Sequence, residues 1–306
     1  MCAPWCQNKL VETRAEPSSE VGLQEVDRIV QAFWDVDVRA WNSHWTPIFR
    51  RFAVDLVRDA QLSSGRIVLD IGTGPGVGAI EAAQEIRPGG LVLALDRSQA
   101  MIDYARSAVI KSRLKNVLFF NMDADHTYFP NGLFDVVLSN CGISYTTFSA
   151  VISEAFRILR KGGFLVLNDW HLKDVPAHRT FGDILQLHRT DHPSKKLRSE
   201  RTAIATFERI GSRYSDVREL AKELQMAGFT EIRTKYRNYR IRMRGIQEFL
   251  DMRLERAALK HELSELSQSQ RARLIDELRK GLKSFIHRRR FVFDWKVAYV
   301  KARKPG

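Results

Sequence analysis

Residues 68–78 read VLDIGTGPGVG, with an acid at Asp70 and glycines at 72, 74, 76 and 78 in strict alternation. Glycine allows left-handed backbone and lets the main chain approach a ligand closely. Glycine-rich turns that open a helix hold pyrophosphate in dinucleotide sites. The spacing here is not G-x-G-x-x-G, however, and an acid two residues before the first glycine repels a pyrophosphate while suiting an amino group. Other polar residues end apolar runs in the same way: Asp96 after LVLAL, Asp123 after VLFFNM and Asn140 after FDVVLS. Such acids also serve as caps of helices and turns, so both readings stand at this point.

The elements that would position these residues follow from patterning. IVLDI (67–71), LVLALD (91–96), VLFFNMD (117–123), FDVVLSN (134–140) and GFLVLND (163–169) are short, nearly continuous apolar runs separated by helical segments. That alternation predicts an α/β fold, a doubly wound parallel sheet covered on both faces. Ligands of such sheets sit at the carboxyl ends of the strands, where the connections diverge. Residues 1–20 lack periodicity and read as a mobile tail; residues 21–60 read as an aromatic helical cap. Residues 61–170 form the expected core. From 171 to 306 the alternation gives way to a lid-like segment, helices and two closing strands, EIRTKYRNYRIRM and FVFDWKVAYVKA.

The 306 residues are 44% apolar, enough for a well-buried core. No apolar stretch is long enough to span a membrane or to act as a leader, and three cysteines argue against a disulfide framework; the expectation is a soluble cytoplasmic protein. The net charge of +13 is unevenly placed. Residues 1–170 hold 17 Lys and Arg against 19 Asp and Glu, whereas residues 171–306 hold 32 against 17. The basic half fits a nucleic acid, an anionic membrane surface or an acidic substrate, or is a solvated helical surface.

The stretch D-x-G-x-G-x-G (Asp70 to Gly76) resembles motif I of the class I S-adenosylmethionine-dependent methyltransferases, and further landmarks follow in order. Asp96 ends the second strand, Asp123-Ala124 follow the third, Asn140 ends the fourth, and FRILRKGGFLVLND (156–169) resembles the stretch leading into the fifth. The resemblance implies a Rossmann-like, seven-stranded mixed sheet with an N-terminal helical cap and helical C-terminal insertions. It also implies S-adenosyl-L-methionine as cofactor and S-adenosyl-L-homocysteine as product. Asp70 would face the methionine amino group, with Gly72, Thr73, Gly74 and Gly76 cradling the ligand. Asp96 would grip the ribose hydroxyls, whose adjacent O–H groups suit a bidentate acceptor. Arg97, Met101, Asp123 and Ala124 would border the nucleoside, and Asn140 the methionine part.

The aromatic segment FWDVDVRAWNSHW resembles the one that precedes the core in small-molecule enzymes of the ubiquinone and menaquinone type. Trp34, Trp41, His44 and Trp45 are candidates for the acceptor pocket, or a buried helix stripe. His178 and Tyr214 are further acceptor-binding candidates. His171, directly after the fifth strand, and Tyr145, after the fourth, are the candidate catalytic groups; His126 follows. NCGISY (140–145) lacks the Asn/Asp-Pro-Pro-aromatic sequence of base N-methylation. Its Cys141 resembles the cysteine that follows this strand in arsenite methyltransferases, but residues 142–306 contain no second thiol. No metal site is expected. The leading expectation is methyl transfer to an O, C or N nucleophile of an aromatic, isoprenoid or secondary metabolite. The alternatives are an RNA or other macromolecular methyltransferase using the basic half, and a noncatalytic S-adenosyl ligand-binding regulator. Arg240, Arg242 and Arg244 alternate on one predicted strand and would share a face, as an anion site or as charge protecting a sheet edge.

Overall fold

The computed structural model describes residues 23–143, 147–170 and 175–306; the expected tail at 1–20 lies outside them. Two helices open the fold, α1 (Leu23–Ala40) and α2 (Thr46–Ala60), joined by one π-helical turn, Trp41–Trp45. Pro47 occupies the first turn of α2, where its missing N–H leaves no partner wanting, and Gln61 ends the helix in the left-handed region. The buried face of α2 carries Phe49, Phe52, Leu56 and Val57, the helical spacing of an amphipathic stripe.

The core then alternates: β1 (Ile67–Ile71), α3 (Val77–Glu85), β2 (Leu91–Asp96), α4 (Gln99–Lys111), β3 (Val117–Asn121), β4 (Phe134–Asn140), α5 (Phe148–Ile158) and β5 (Leu159–Asp169). After it come α6 (Pro176–Leu187), α7 (Lys195–Gly211), α8 (Val217–Met226), β6 (Thr230–Met243), α9 (Ile246–Leu254), α10 (Ala257–Ser264), α11 (Gln268–Gly281), the two-residue β7 (Ile286–His287) and β8 (Arg290–Arg303). The strand order is β3-β2-β1-β4-β5-β8-β6, with β7 paired to β8 off this path. β1 to β5 are mutually parallel; β8 lies antiparallel between β5 and β6. The fold is the Rossmann-like sheet expected, with β7 as a short eighth strand that the sequence pattern does not announce. β5 also starts earlier than the apolar run suggests, because Leu159 pairs with Phe134 ahead of a register shift in β4.

Strand side chains alternate between two cores. Val68, Ala94, Val136, Leu138 and Val166 face the side covered by α2, α3, α4, α6 and α9. Leu69, Leu93, Leu95, Val137 and Leu165 face the side covered by α5 and α8. Burial on both faces explains why these runs read as nearly continuous apolar text. β1 has β2 on one side and β4 on the other, so the connections diverge there and a crevice opens at its carboxyl end.

Candidate functional site

A cleft occupies that crevice, bounded by the glycine turn after β1, the ends of β2 and β4, the residues after β3 and the inner face of α1. The glycines of the turn have different duties. At Gly74 (φ +52°) a Cβ would meet nothing within 4 Å, so its bare backbone opens onto the cleft. At Gly72 (φ +63°) a Cβ would come within 2.8 Å of the Gly142 Cα, so this glycine lets the turn lie against the end of β4. Gly76 borders Ala105 of α4, a packing contact away from the ligand side.

Asp70 differs from its expected placement. It is 1% exposed and lies outside the lining of the cleft. Its carboxyl oxygens sit 2.9 Å from where a Gly78 Cβ would be, beneath the first turn of α3, and Thr73 Oγ1 donates to Oδ2 at 2.7 Å. Burial raises its pKa to about 7, opposed by the Thr73 hydroxyl and the Ala79 amide. Asp70 therefore anchors the glycine turn to α3.

Asp96 does border the cleft. Oδ2 accepts from the Gly74 N–H at 2.8 Å and Oδ1 from the Ser98 N–H at 2.9 Å, tying the glycine turn to the end of β2. Burial raises its pKa, opposed by the Ser98, Gly74 and Arg97 amides. A carboxylate has about four lone-pair sites, so acceptor capacity remains for a ribose hydroxyl. Ser98 caps α4 by accepting from Met101 N, which brings Met101 to the wall; Met122 and Ala124 supply the apolar slot expected for a nucleobase. At the end of β4, Asn140 is held by two bonds: Nδ2 donates to Phe49 O at 3.3 Å and Oδ1 accepts from Asn168 Nδ2 at 2.9 Å.

Arg97 also borders the cleft, with its charge directed at α1. Its guanidinium makes a two-pronged pair with Asp27, donates to Gln31 Oε1 at 2.9 Å and lies 3.4 Å from Asp123 Oδ2. Asp123 serves this pair and does not line the cleft. The charge pairing pins α1 across the opening and places Asp27, Gln31 and Trp34 on the wall. Those three were not selected from sequence apart from Trp34, although their spacing of four and three marks one helix face. Phe49, Cys141 and Gly142 likewise belong to the wall.

Several acceptor candidates are placed elsewhere. Trp41 lines the cleft, but Trp45 is fully buried and donates Nε1–H to Met252 O. His44 Nε2 meets Glu255 Oε2 at 3.2 Å, clamping the π-helical turn to the segment after α9. His178 is 2% exposed, between Trp45, Phe249 and Trp295, with neither ring nitrogen hydrogen-bonded; burial holds its pKa well below the usual value. Tyr214 stacks on Phe148 at 3.8 Å on the α5/α8 face. Core packing claims Trp45, His178 and Tyr214, and the contact with Glu255 claims His44. Tyr145 and His171 lie outside the described residues. Cys141 has φ +58° and a buried thiol donating to Asn168 Oδ1 at 3.1 Å, and burial keeps it neutral. Among the described residues no cluster of three or more His, Cys, Asp or Glu could hold a metal.

The donor and acceptor set suits S-adenosylmethionine: bare backbone at Gly74, a carboxylate at Asp96 with lone pairs to spare, an apolar slot and an oriented carboxamide at Asn140.

Comparison with known proteins agrees with this geometry. Residues 68–163 match the family described as a methyltransferase domain. An arsenite methyltransferase of Halobacterium salinarum is 34% identical over 111 residues, 36% of this chain and 28% of that protein. Demethylmenaquinone methyltransferases of Lactococcus lactis and Listeria monocytogenes are 29% identical over 117 residues and 31% over 130. The matches cover 38% and 42% of this chain, and 46% and 54% of those proteins. The chain thus spans between about a quarter and about half the length of these relatives. Among solved structures, a Bacillus halodurans protein described as a putative methyltransferase has TM-score 0.53 at 21% identity, over 83% of this chain and 99% of its own. A Haemonchus contortus phosphoethanolamine N-methyltransferase 2 has TM-score 0.54 at 18% identity, over 94% and 61%. The [4+2]-cyclase SpnF has TM-score 0.55 at 18% identity, over 92% and 97%. These structures share the fold.

Proposed function

We propose that this chain, a member of the class I S-adenosylmethionine-dependent methyltransferase superfamily, transfers a methyl group to an O, C or N nucleophile of a small, largely apolar acceptor. The observation that carries the reading is a single cleft that joins a nucleoside-binding half, at Gly74, Asp96 and Ala124, to an aromatic wall of Trp34, Trp41 and Phe49. Bound S-adenosylmethionine would supply an electrophilic methyl on a sulfonium, which needs an aligned nucleophile and a site closed to water.

The chain's own residues serve those two needs. Asp96 and the Gly74 backbone hold the nucleoside end, and the bonded Asn140 side chain presents a fixed carboxamide on the methionine side. α1, pinned through Asp27 and Gln31 to Arg97, closes the opening and excludes water with Trp34 and Trp41. The titratable groups of the described wall are already engaged: Asp96 with two amides, Arg97 with Asp27, and Cys141 as a neutral thiol. A base or orienting group for the acceptor is therefore assigned to His171 or Tyr145, which follow β5 and β4 in the sequence. An aromatic wall favours a ring-bearing or isoprenoid acceptor, in keeping with the demethylmenaquinone enzymes among the relatives. A site for trivalent arsenic would need converging soft thiolates, and the described residues contain Cys141 alone.

The test is to incubate purified protein and cell extract with S-adenosylmethionine carrying a radioactive methyl group, then partition the label. Label in organic-soluble metabolites supports the reading. Label released by nuclease or protease assigns a macromolecular acceptor, and no incorporation despite tight S-adenosylhomocysteine binding assigns a noncatalytic role.

A further inference from the structure

A second concave surface lies at the far edge of the sheet, lined by Arg240, Arg242, His287, Arg288, Arg290 and Val292. Its geometry follows from strand register. Arg242 is opposite Val292, Arg240 opposite Asp294, and Arg290 opposite His287, so these side chains share one face across β6, β8 and β7. Arg240, Arg242 and Arg290 are exposed there, alternating with buried Tyr239, Ile241, Met243 and Phe291 on the other face. Asp294 reaches Arg240 at 3.9 Å; Arg242, Arg288 and Arg290 have no ion pair among the described residues.

The turn that closes this surface is built against backbone preference. β7 and β8 are joined by the two residues Arg288 and Arg289, both left-handed at φ +47° and +65°. A two-residue turn with both φ positive favours Asn-Gly, because a side chain is disfavoured in the left-handed region. Arginine at both positions puts charge beside the groove where conformation alone would select glycine, the pattern of strain retained at a working surface. The placement also matters. β6 runs parallel to β5, so Arg240 and Arg242 lie at the same end of the sheet as the cofactor cleft, four strands across from β1.

We propose that this arginine groove docks the chain on an anionic membrane surface by binding the phosphates of lipid headgroups. Guanidinium groups pair with phosphate oxygens in a fork geometry, and several exposed arginines on one face match a sheet of such headgroups. His287, paired with Arg290 across β7 and β8, adds a polar imidazole to the same face. Single-stranded nucleic acid fits the groove less well, because the lining includes no exposed aromatic ring on which a base could stack. The inference goes beyond methyl transfer and does not depend on it.

The test is cosedimentation of the full chain with phosphatidylcholine vesicles containing phosphatidylglycerol and with phosphatidylcholine alone, at low and high salt. The expected result is binding to the anionic vesicles only, lost at high salt. Arg242→Ala/Arg290→Ala should weaken it about fivefold per arginine and about twenty-five-fold together, while Lys111→Ala/Lys115→Ala, on the opposite side of the sheet, leaves it unchanged. Both arginines are exposed and unpaired, so the fold survives; S-adenosylhomocysteine affinity, measured on the same preparations, reports it. Equal binding to both vesicle types, or full binding by the arginine variant, overturns the proposal. Arginine-dependent binding to a single-stranded oligonucleotide without binding to the anionic vesicles also overturns it and assigns the groove to nucleic acid.

Discussion

Replacing Asp96 by alanine tests the cofactor site and the architecture of the turn together. In the folded chain its two oxygens hold the Gly74 and Ser98 amides at 2.8 and 2.9 Å, and the carboxylate lines the cleft. A hydrogen bond to a charged group contributes about 1.5–3 kcal/mol, and a ribose hydroxyl would lose its acceptor. That loss raises the dissociation constant at least about tenfold. The same substitution frees two backbone N–H groups, so the melting temperature should fall as well. Asp96→Asn separates the two effects, since its carbonyl oxygen still accepts one amide while the charge on the hydroxyls is gone. Calorimetric titration with S-adenosylhomocysteine, paired with thermal unfolding, reads both. An Asp96→Ala protein that stays folded and binds within twofold of the parent would refute the assignment of this carboxylate to the ribose.

Further expectations concern neighbouring groups. Gly74→Ala should keep the fold, since its Cβ meets no protein atom, yet weaken S-adenosylhomocysteine binding by putting a methyl on the ligand side of a left-handed residue; unchanged affinity would place the ligand elsewhere. Arg97→Ala should free α1, raising amide hydrogen exchange over residues 24–40 and weakening ligand binding by about two- to fivefold, the scale of a partly exposed ion pair. Asp70, with its pKa raised to about 7, binds a proton in the folded state that the unfolded chain releases near pH 4. Stability should therefore fall as pH rises from about 4 to about 7, by at most about 4 kcal/mol, and Asp70→Asn should flatten that slope in denaturant titrations. His178 has the opposite sign: its folded pKa lies well below the ordinary 6.5, so stability is lost as pH falls below about 6.5, and His178→Phe should remove that acid limb.

Much of this protein is decided by local text. The five apolar runs and the helices between them specify a doubly wound sheet, because strands buried on both faces must be apolar at nearly every position, and the turn after Asp70 has no room for side chains at Gly72. The order of landmarks Asp70, Asp96, Ala124 and Asn140 was legible for the same reason: strand ends carry the ligand end of the sheet with them. Tertiary structure decided which of the chemically able residues face the cleft. Asp70 and Asp96 look alike in sequence, yet the first turns under α3 and the second borders the ligand space. Trp41 and Trp45 are four residues apart on one stripe, but only Trp41 reaches the cleft, while Trp45 and His178 are consumed by a core that brings together α6, α9 and β8. The face of α1 that meets Arg97, and the register that gathers Arg240, Arg242 and Arg290, join residues between about 50 and 70 positions apart. No local pattern encodes such pairings, because they are set by long-range packing of the helices and by the pairing of β8 with β6.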